Sequence, residues 1–492
     1  MERQTDIFRK PVRDGMRPSP PAVQPDESLN GIVGRMEQFG ASAIVVCDAK
    51  GRAQGIVTEH DIARRAAFRM PGDAPAADVM TQPVDCIHED EYLYHAIAQM
   101  RRQGRRHMPV VDQSGVLTGI LNLDDTLAVA SKRLMDQLDI LTREDNVDGL
   151  TEVKAAEVDL AAELREEGVE PTEIQALLSH INLDIYRRVI DLNLVAMETE
   201  GLGPPPRPFQ CVVMGSGGRG ESFLFPDQDN GFIIEDYPDD DHTEIDGWFI
   251  NLAERMTRDL DRVGLPLCKG FVMATNPLWR KNLSQWKEQM TLWSKKRNNI
   301  VLRHCDIFFD FVSAFSSEGL AADMAGELRQ HVTDTTRGNK MFLMQMYTSD
   351  QDAGAALGWF RRFKTMRESD PPGYKGYLNL KHMGTLPLVE GMRLMCLREG
   401  LTVLPTLSRI SALHAAGILN ANENDELTAA YKHLSGLLLR QQIADFKAGN
   451  RVTNFVHPNS ITRREASILK DSFEAIQLLK DRTRMEFTGN VF

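Results

Sequence analysis

Asp227 and Asp229 stand two positions apart, a short way after the glycine-rich run Gly215-Ser216-Gly217-Gly218-Arg219-Gly220-Glu221. In an extended strand residues i and i+2 face the same way, so the spacing sets two carboxylates side by side. Two such anions about 4 Å apart repel by about 4 kcal/mol at an effective dielectric of 20, which hydration, protonation or a bound cation must offset. Mg²⁺ suits the task, being a hard ion that completes its octahedron with water and triphosphate oxygens. The plain alternative is an exposed turn with two solvated aspartates, because PDQDNG is rich in turn formers. The glycine run follows the short apolar strand CVVM, and backbone N–H groups at such a turn can point at an anion with no side chain in the way.

A rival reading takes Gly215-x-Gly217-x-x-Gly220 as a dinucleotide fingerprint with Glu235 as its ribose acid. Pro226 argues against it, since it interrupts the interval in which a crossover helix must fit. Asp227 and Asp229 would also have to open a buried parallel strand, where carboxylates have no place.

The elements that carry these residues are legible in outline. Sliding the first 130 residues by 64 positions sets Leu29, Ile32, Val33, Met36, Gly40, Asp48, Gly51, Gly55 and Asp61 on Leu93, Ala96, Ile97, Met100, Gly104, Asp112, Gly115, Gly119 and Asp125. The four apolar positions form one helix face, and a glycine four places on suits the helix end. DAKG and DQSG have hairpin-turn chemistry, so the repeated unit is helix, strand, turn, strand, helix. Asp61 and Asp125 could simply cap the helices they introduce. Arg101, Arg102, Arg105 and Arg106 read as a solvated helix face or a phosphate contact. From 131 to 200 the pattern is helical, with Leu178, Ile181, Ile185, Val189 and Leu192 at helical spacing, and it ends at GLGPPPRPF, where three prolines bar a helix. From 341 to 487 helical periodicity dominates, MFLMQM reads as helix core, and Gly417, Gly449 and Pro458 fall where helices should stop. Lys381, Arg393 and Arg440 read as surface charges or as cations that reach an anion if the bundle closes over the glycine turn.

Composition bounds the function. The 492 residues are 42% hydrophobic and 26% charged, ordinary for a folded multidomain chain. A balance of 57 basic against 70 acidic residues gives a net charge of -13. That acidity disfavours nucleic acid as the main partner. No apolar stretch reaches the roughly 20 residues of a membrane span, and the N-terminus lacks a secretory core, so no membrane association and a cytoplasmic location are expected. Cys47, Cys86, Cys211, Cys268, Cys305 and Cys396 lie far apart without zinc spacing and read as reduced thiols.

Two resemblances rest on these residues. The duplicated stretch, residues 12–130, resembles a tandem pair of CBS domains, which implies an adenine nucleotide in the cleft and association into homodimers. The family's G-h-h-T-x-x-D run falls on Thr58 and Asp61; the second copy keeps Asp125 but has Asn122 in place of the Thr. The Gly-Ser turn, Arg219, Glu221 and the D-x-D resemble the DNA polymerase beta nucleotidyltransferase superfamily, and within it the bacterial PII uridylyltransferase branch. The resemblance implies that Gly215, Ser216 and Gly217 hold the triphosphate and that Asp227 and Asp229 bind Mg²⁺. Arg219 and Glu221 match the family's R-x-E, either touching nucleotide or bracing the loop as a salt bridge.

GFVMATNPLWRKNLSQW, IFFDF and the tail from LNLKHMGTLPLVEGMRLMCL are similar to a narrower bacterial group that joins CBS domains to such a core and a helical substrate-binding domain. Met273, Asn276 and Trp279 of that motif are read as packing, and Val312 departs from it, standing where Arg is expected. The superfamily's third carboxylate should lie on the following strand, expected over Leu267–Ala274, which has no acid; Asp306 and Asp310 are the nearest substitutes, with Asp310 expected to be structural. The expected fold is multidomain α+β: a CBS pair (12–130), a helical connector (131–200), a polymerase-beta-like nucleotidyltransferase α/β core (201–335) and a C-terminal all-α helical bundle (340–487). The expected function is Mg²⁺-dependent transfer of a nucleoside monophosphate from a nucleoside triphosphate to an acceptor, a protein by analogy with the uridylyltransferase, under adenine-nucleotide control. The alternative is a nucleotide sensor with an inactive core.

Overall fold

The computed structural model describes residues 10–67, 69–123, 146–295, 306–317, 319–320, 323–349, 356–367 and 372–489. The chain forms two compact units, Met1–Glu144 and Asp145–Phe492.

The first unit carries the repeat. Helix α1 (Leu29–Phe39) starts at Ser28, whose side chain accepts from the Gly31 N–H, and ends at Gly40 in the left-handed conformation, the arrangement that a helix C-terminus favours glycine for. Strands β1 (Ala43–Cys47) and β2 (Ala53–Thr58) pair antiparallel, and a helical turn at Glu59–Asp61 follows. The second copy has a short β3 (Ile87–His88), helix α2 (Leu93–Arg102), and antiparallel β4 (His107–Val111) and β5 (Leu117–Asn122), with β3 parallel to β4. The duplication extends further than the apolar face. Met16 and Met80 each lie over the matching glycine, so a Cβ on Gly55 would stand 2.4 Å from the Met80 sulfur and one on Gly119 2.5 Å from that of Met16. The turns of the two copies meet where Arg52 bridges Val116. Asp125 lies outside the described residues.

The second unit opens with helices α3 (Val147–Glu166) and α4 (Pro171–Thr199). Pro171 occupies the first helical position, where a missing N–H costs nothing. Within their interface Lys154 is fully buried, 2.6 Å from Glu157 and 2.7 Å from the Asn182 side-chain oxygen. Burial pushes the Glu157 carboxyl up to about 7, against the pull of Lys154. After the prolines, β6 (Phe209–Met214) runs buried on both faces inside a mixed four-stranded sheet. Strands β7 (Asn230–Ile234) and β9 (Phe311–Ser316) flank β6 antiparallel, and β8 (Arg280–Asn282) is parallel to β7. Helix α5 (His242–Val263) packs on α4, and α6 (Leu283–Trp293) starts from an Asn282–Gln285 capping box. Trp279, Trp286 and Phe308 are fully buried, with the Trp286 and Phe308 rings stacked 4.9 Å apart. This bears out the packing reading of Trp279.

The expected strand over Leu267–Ala274 is not formed. Only Leu267 makes an isolated bridge, to Gln228, and the sheet takes Arg280–Asn282 in its place. Turns at Lys269–Gly270 and around Asn276–Pro277 break the run, as glycine and proline there allow.

The C-terminal region is helical: α7 (Met324–Thr336), α8 (Lys340–Ser349), α9 (Leu386–Glu399), α10 (Thr406–Ala415), α11 (Ala421–Lys447) and α12 (Arg463–Thr488). Capping boxes Asn420–Glu423 and Thr462–Glu465 fix the starts of α11 and α12. One departure from all-α is the two-residue ladder of β10 (Leu378–Asn379) with β11 (Phe455–Val456). Phe342, Leu343 and Met346 of the methionine-rich α8 are buried. Among the described residues no helix is long and apolar enough to cross a membrane.

Candidate active site

The glycine run forms a single helical turn, Gly215–Gly218, directly off the end of β6. Two of its glycines are required sterically. Gly215 has φ +62, and a Cβ on Gly218 would stand 1.9 Å from the Asp310 carbonyl oxygen, so any side chain there would force the loop off β9. Opposite, residues 227–229 run extended just ahead of β7. The regular strand starts at Asn230, not at Asp227, but the alternation holds: Gln228 is fully buried, Asp227 exposed and Asp229 half-buried. The Met214 N–H donates to the Asp229 carbonyl at 2.8 Å, and an ideal Cβ on Gly215 lies 3.1 Å from the Asp229 carboxylate. Turn and acid pair are therefore joined. A narrow recess of about 10 Å³, room for about one water, lies between α4 and this turn and is lined by Ser179, Asn182, Tyr186, Gly217 and Asp227 among others.

Asp229 is short of partners. Its Oδ1 is buried with no hydrogen-bond partner. Burial pushes its carboxyl up to about 6; the nearby Cys268 thiol opposes the shift, the Asp227 charge adds to it, and Lys381 and Arg219 pull it down. Cys268 rises in turn to about 11, from burial and the Asp229 charge. Among the described residues no group of three or more His, Cys, Asp or Glu side chains could hold a metal. The pair alone still fits Mg²⁺, which often binds through one or two carboxylates with substrate phosphates supplying further oxygens.

Arg219 and Glu221 lie in a buried ion network. Arg219 Nε donates to Glu221 at 2.7 Å and its Nη1 to Asp310 Oδ2 at 2.7 Å. Asp310 is fully buried and also accepts from Arg393 Nε at 2.9 Å and from Arg409. Arg393 pairs with Asp306 as well. Glu221 accepts the Thr406 backbone N–H at the start of α10, where a carboxylate complements the helix dipole. Three arginines thus meet three acids, joining the glycine turn and β9 to α9 and α10. Asp310 is structural, as expected. Arg393 is not a surface charge: it is 2% exposed, and only its carboxylate partners make such burial tolerable. Sequence periodicity assigned it to a polar position and could not reveal those partners.

Lys381 is exposed on the turn Lys381–Thr385, with its charge felt at Asp229, while Arg440 pairs with Glu465 at the surface. Asn276 holds a turn, donating to the Phe271 carbonyl and accepting from the Leu278 N–H. Sequence reasoning missed Cys268 beside Asp229, because Leu267–Ala274 was expected to be a strand, and missed Arg409 altogether.

In the first unit Thr58 and Asp61 form a capping box. Asp61 Oδ2 accepts from the Thr58 N–H at 3.0 Å and hydroxyl at 2.7 Å, and Oδ1 from Thr81 at 3.3 Å. Arg105 is exposed and lies 3.7 Å from Asp85, and Arg106 is exposed.

Fold and site together define a multidomain protein with an N-terminal CBS pair, a central nucleotidyltransferase-like domain and a helical C-terminal region. Residues 10–67 and 76–132 match the CBS domain family. Residues 156–299 match the family described as "Putative nucleotidyltransferase DUF294", and residues 340–487 the "Putative nucleotidyltransferase substrate binding domain". An uncharacterised protein of Methanopyrus kandleri is 33% identical over 107 residues, 21% of this chain and 55% of that protein. An uncharacterised 17.7 kDa protein of Acidianus ambivalens is 32% identical over 103 residues, 21% of this chain and 62% of that one. The chain thus spans little more than half the length of each. The inosine-5'-monophosphate dehydrogenase of Methanocaldococcus jannaschii is 30% identical over 105 residues, 20% of its length and 21% of this chain. Among solved structures, a conserved protein of Pyrococcus horikoshii matches 25% of this chain and 92% of its own at 24% identity, TM-score 0.23. A CBS domain pair in complex with 5'-methylthioadenosine and S-adenosyl-L-methionine matches 26% of this chain and 96% of its own at 24% identity, TM-score 0.23.

Proposed function

We propose that the protein is a Mg²⁺-dependent nucleotidyltransferase of the PII uridylyltransferase type, moving a nucleoside monophosphate from a nucleoside triphosphate to an acceptor. The observation that carries the reading is Asp229: a carboxylate with a buried, unpartnered oxygen, beside a second carboxylate and against a glycine turn. A fold that leaves such an oxygen without a donor forgoes stability unless a ligand supplies the partner.

In this reading Asp227 and Asp229 hold Mg²⁺, which when bound neutralises phosphate charge and orients an in-line displacement. Gly215, Ser216 and Gly217 face the triphosphate, and Lys381 adds a cation at its edge. Arg219 and Glu221 act as positioning residues, fixing the turn against α10. An acceptor hydroxyl attacks the α-phosphorus, the bond to the β-phosphate bridging oxygen breaks, and pyrophosphate leaves with the electron pair while the acceptor proton passes to solvent. We read the acceptor as a protein, the setting as cytoplasmic, and domain limits at 12–130, 131–200, 201–335 and 340–487. The CBS pair takes an adenine nucleotide through Thr58, Asp61 and Asp125 and supports a homodimer. Control of transfer requires that this ligand bind two states of the chain with different affinity.

Incubating the full chain with α-labelled ATP, UTP, GTP or CTP, Mg²⁺ and cell extract tests the reading. Label on an acceptor, with pyrophosphate released and both abolished by Asp227→Asn or Asp229→Asn, supports transfer. A non-enzymatic nucleotide sensor is the second reading, favoured by one observation: Asp306 and Asp310 are both engaged by Arg393 and offer no third acid. Saturable Mg²⁺-dependent nucleotide binding without pyrophosphate from any extract would establish it.

A further inference from the structure

Phe271 is a large apolar side chain that the fold holds out to solvent at a conformational cost. It is 68% exposed, and its φ of +56 is left-handed, a region that side chains with a Cβ adopt rarely and bulky ones least. The conformation is held from both sides: the Phe271 N–H donates to the Cys268 carbonyl at 3.0 Å and its carbonyl accepts from Asn276 Nδ2 at 3.1 Å. Among the described residues no aromatic ring packs on it. Strain of this kind persists where surrounding structure over-determines it, and it clusters at ligand sites.

Its place in the chain says which ligand. The segment carrying Phe271 is strapped along the acid pair: the Gln228 N–H donates to the Pro266 carbonyl at 2.9 Å and the Asn230 N–H to the Val272 carbonyl at 3.0 Å, on either side of Asp229. Between those two bonds the strap carries Cys268, and Leu267 is 48% exposed. The backbone segment that carries a strained, exposed aromatic and an exposed leucine therefore runs hydrogen-bonded alongside the acid pair. The bordering ligand is a nucleotide under the function proposed above, on which this step rests, and its only flat apolar part is the base.

We infer that Phe271 is the platform on which the nucleobase of the nucleoside triphosphate stacks. Every base has a π face, so stacking supplies affinity with little discrimination among bases.

The test uses the full chain, Mg²⁺, α,β-methylene nucleoside triphosphates and inorganic triphosphate, and reads the Mg²⁺-dependent binding that Asp229→Asn abolishes, which sets aside binding at the CBS pair. Phe271→Gly is expected to weaken nucleotide binding about tenfold, to leave inorganic triphosphate binding unchanged, and to raise the melting temperature without ligand, because glycine relieves the left-handed strain. Phe271→Trp is expected to retain nucleotide affinity. Wild-type binding that Phe271→Gly leaves intact overturns the inference alone. A melting temperature lowered by Phe271→Gly, with nucleotide and triphosphate binding lost together, also overturns it, marking the residue as structural. Absence of any Mg²⁺-dependent nucleotide binding by the wild type overturns the proposed function and this inference with it.

Discussion

Asp61 and Asp229 each sit where a strand meets a turn, and the fold treats their charge in opposite ways. Asp61 accepts from the Thr58 backbone and hydroxyl and from Thr81, with Arg65 3.6 Å away. Asp229 has a buried oxygen with no donor and another carboxylate for a neighbour. Donors from the chain already neutralise the first carboxylate, so a ligand that meets it can add only neutral hydrogen bonds, whereas the second is left short of donors and has room for a cation. Asp310 marks the far end of the first kind, fully buried and bound by three arginines.

The contrast can be broken at several points. The largest expected effect is on transfer: Asp227→Asn or Asp229→Asn should lower it by about 10⁴-fold, since positioning of the phosphates is worth several kcal/mol and each 1.36 is tenfold. The same Asp229→Asn should not destabilise the chain. A carboxyl raised by burial contributes stability while protonated and loses it as pH rises through its folded value, so wild-type stability should fall between the ordinary carboxylate range and about pH 6, and the Asn variant should lack that fall. Calorimetric melts at pH 4.5 and 7.5 read the difference. Asp310→Ala should behave in the reverse sense, costing about 3–5 kcal/mol by stranding three guanidinium groups, as denaturant melts would show.

A smaller contrast lies in the Lys154–Glu157 pair. Lys154→Met alone should cost about 3–5 kcal/mol, whereas Lys154→Met with Glu157→Leu should come back to within about 1 kcal/mol of wild type, because a buried ion pair yields little over well-packed apolar groups. Divalent-ion affinity gives a pH test: Mn²⁺ binding should weaken by about tenfold per pH unit below about 6, as protons compete for Asp229. The smallest effect is expected from Thr58→Ala, about 1 kcal/mol for the lost cap, with Mn²⁺ binding unmoved.

Much of this was legible in the residues. The 64-residue repeat announced its helix faces and closing glycines because each is a local requirement, visible as spacing. Gly215-Ser216 and Asp227-x-Asp229 were likewise local. What periodicity could not show is partnership across the chain. Arg393 has the spacing of a polar helix position and no sign of Asp310, 83 residues away. The run Leu267–Ala274 has a strand's composition, yet its glycine and the Asn276–Pro277 turn let it fold into a strap that carries Cys268 to Asp229. Nothing in the sequence marks Phe271 as left-handed, because strain is set by what surrounds a residue.

The most direct test of the central claim is diffraction at the manganese edge from crystals of the full chain grown with Mn²⁺ and a non-hydrolysable nucleoside triphosphate. The account predicts an anomalous peak against the carboxylate oxygens of Asp227 and Asp229, lost in Asp229→Asn. Ordered nucleotide elsewhere, with no manganese beside either carboxylate, would contradict it.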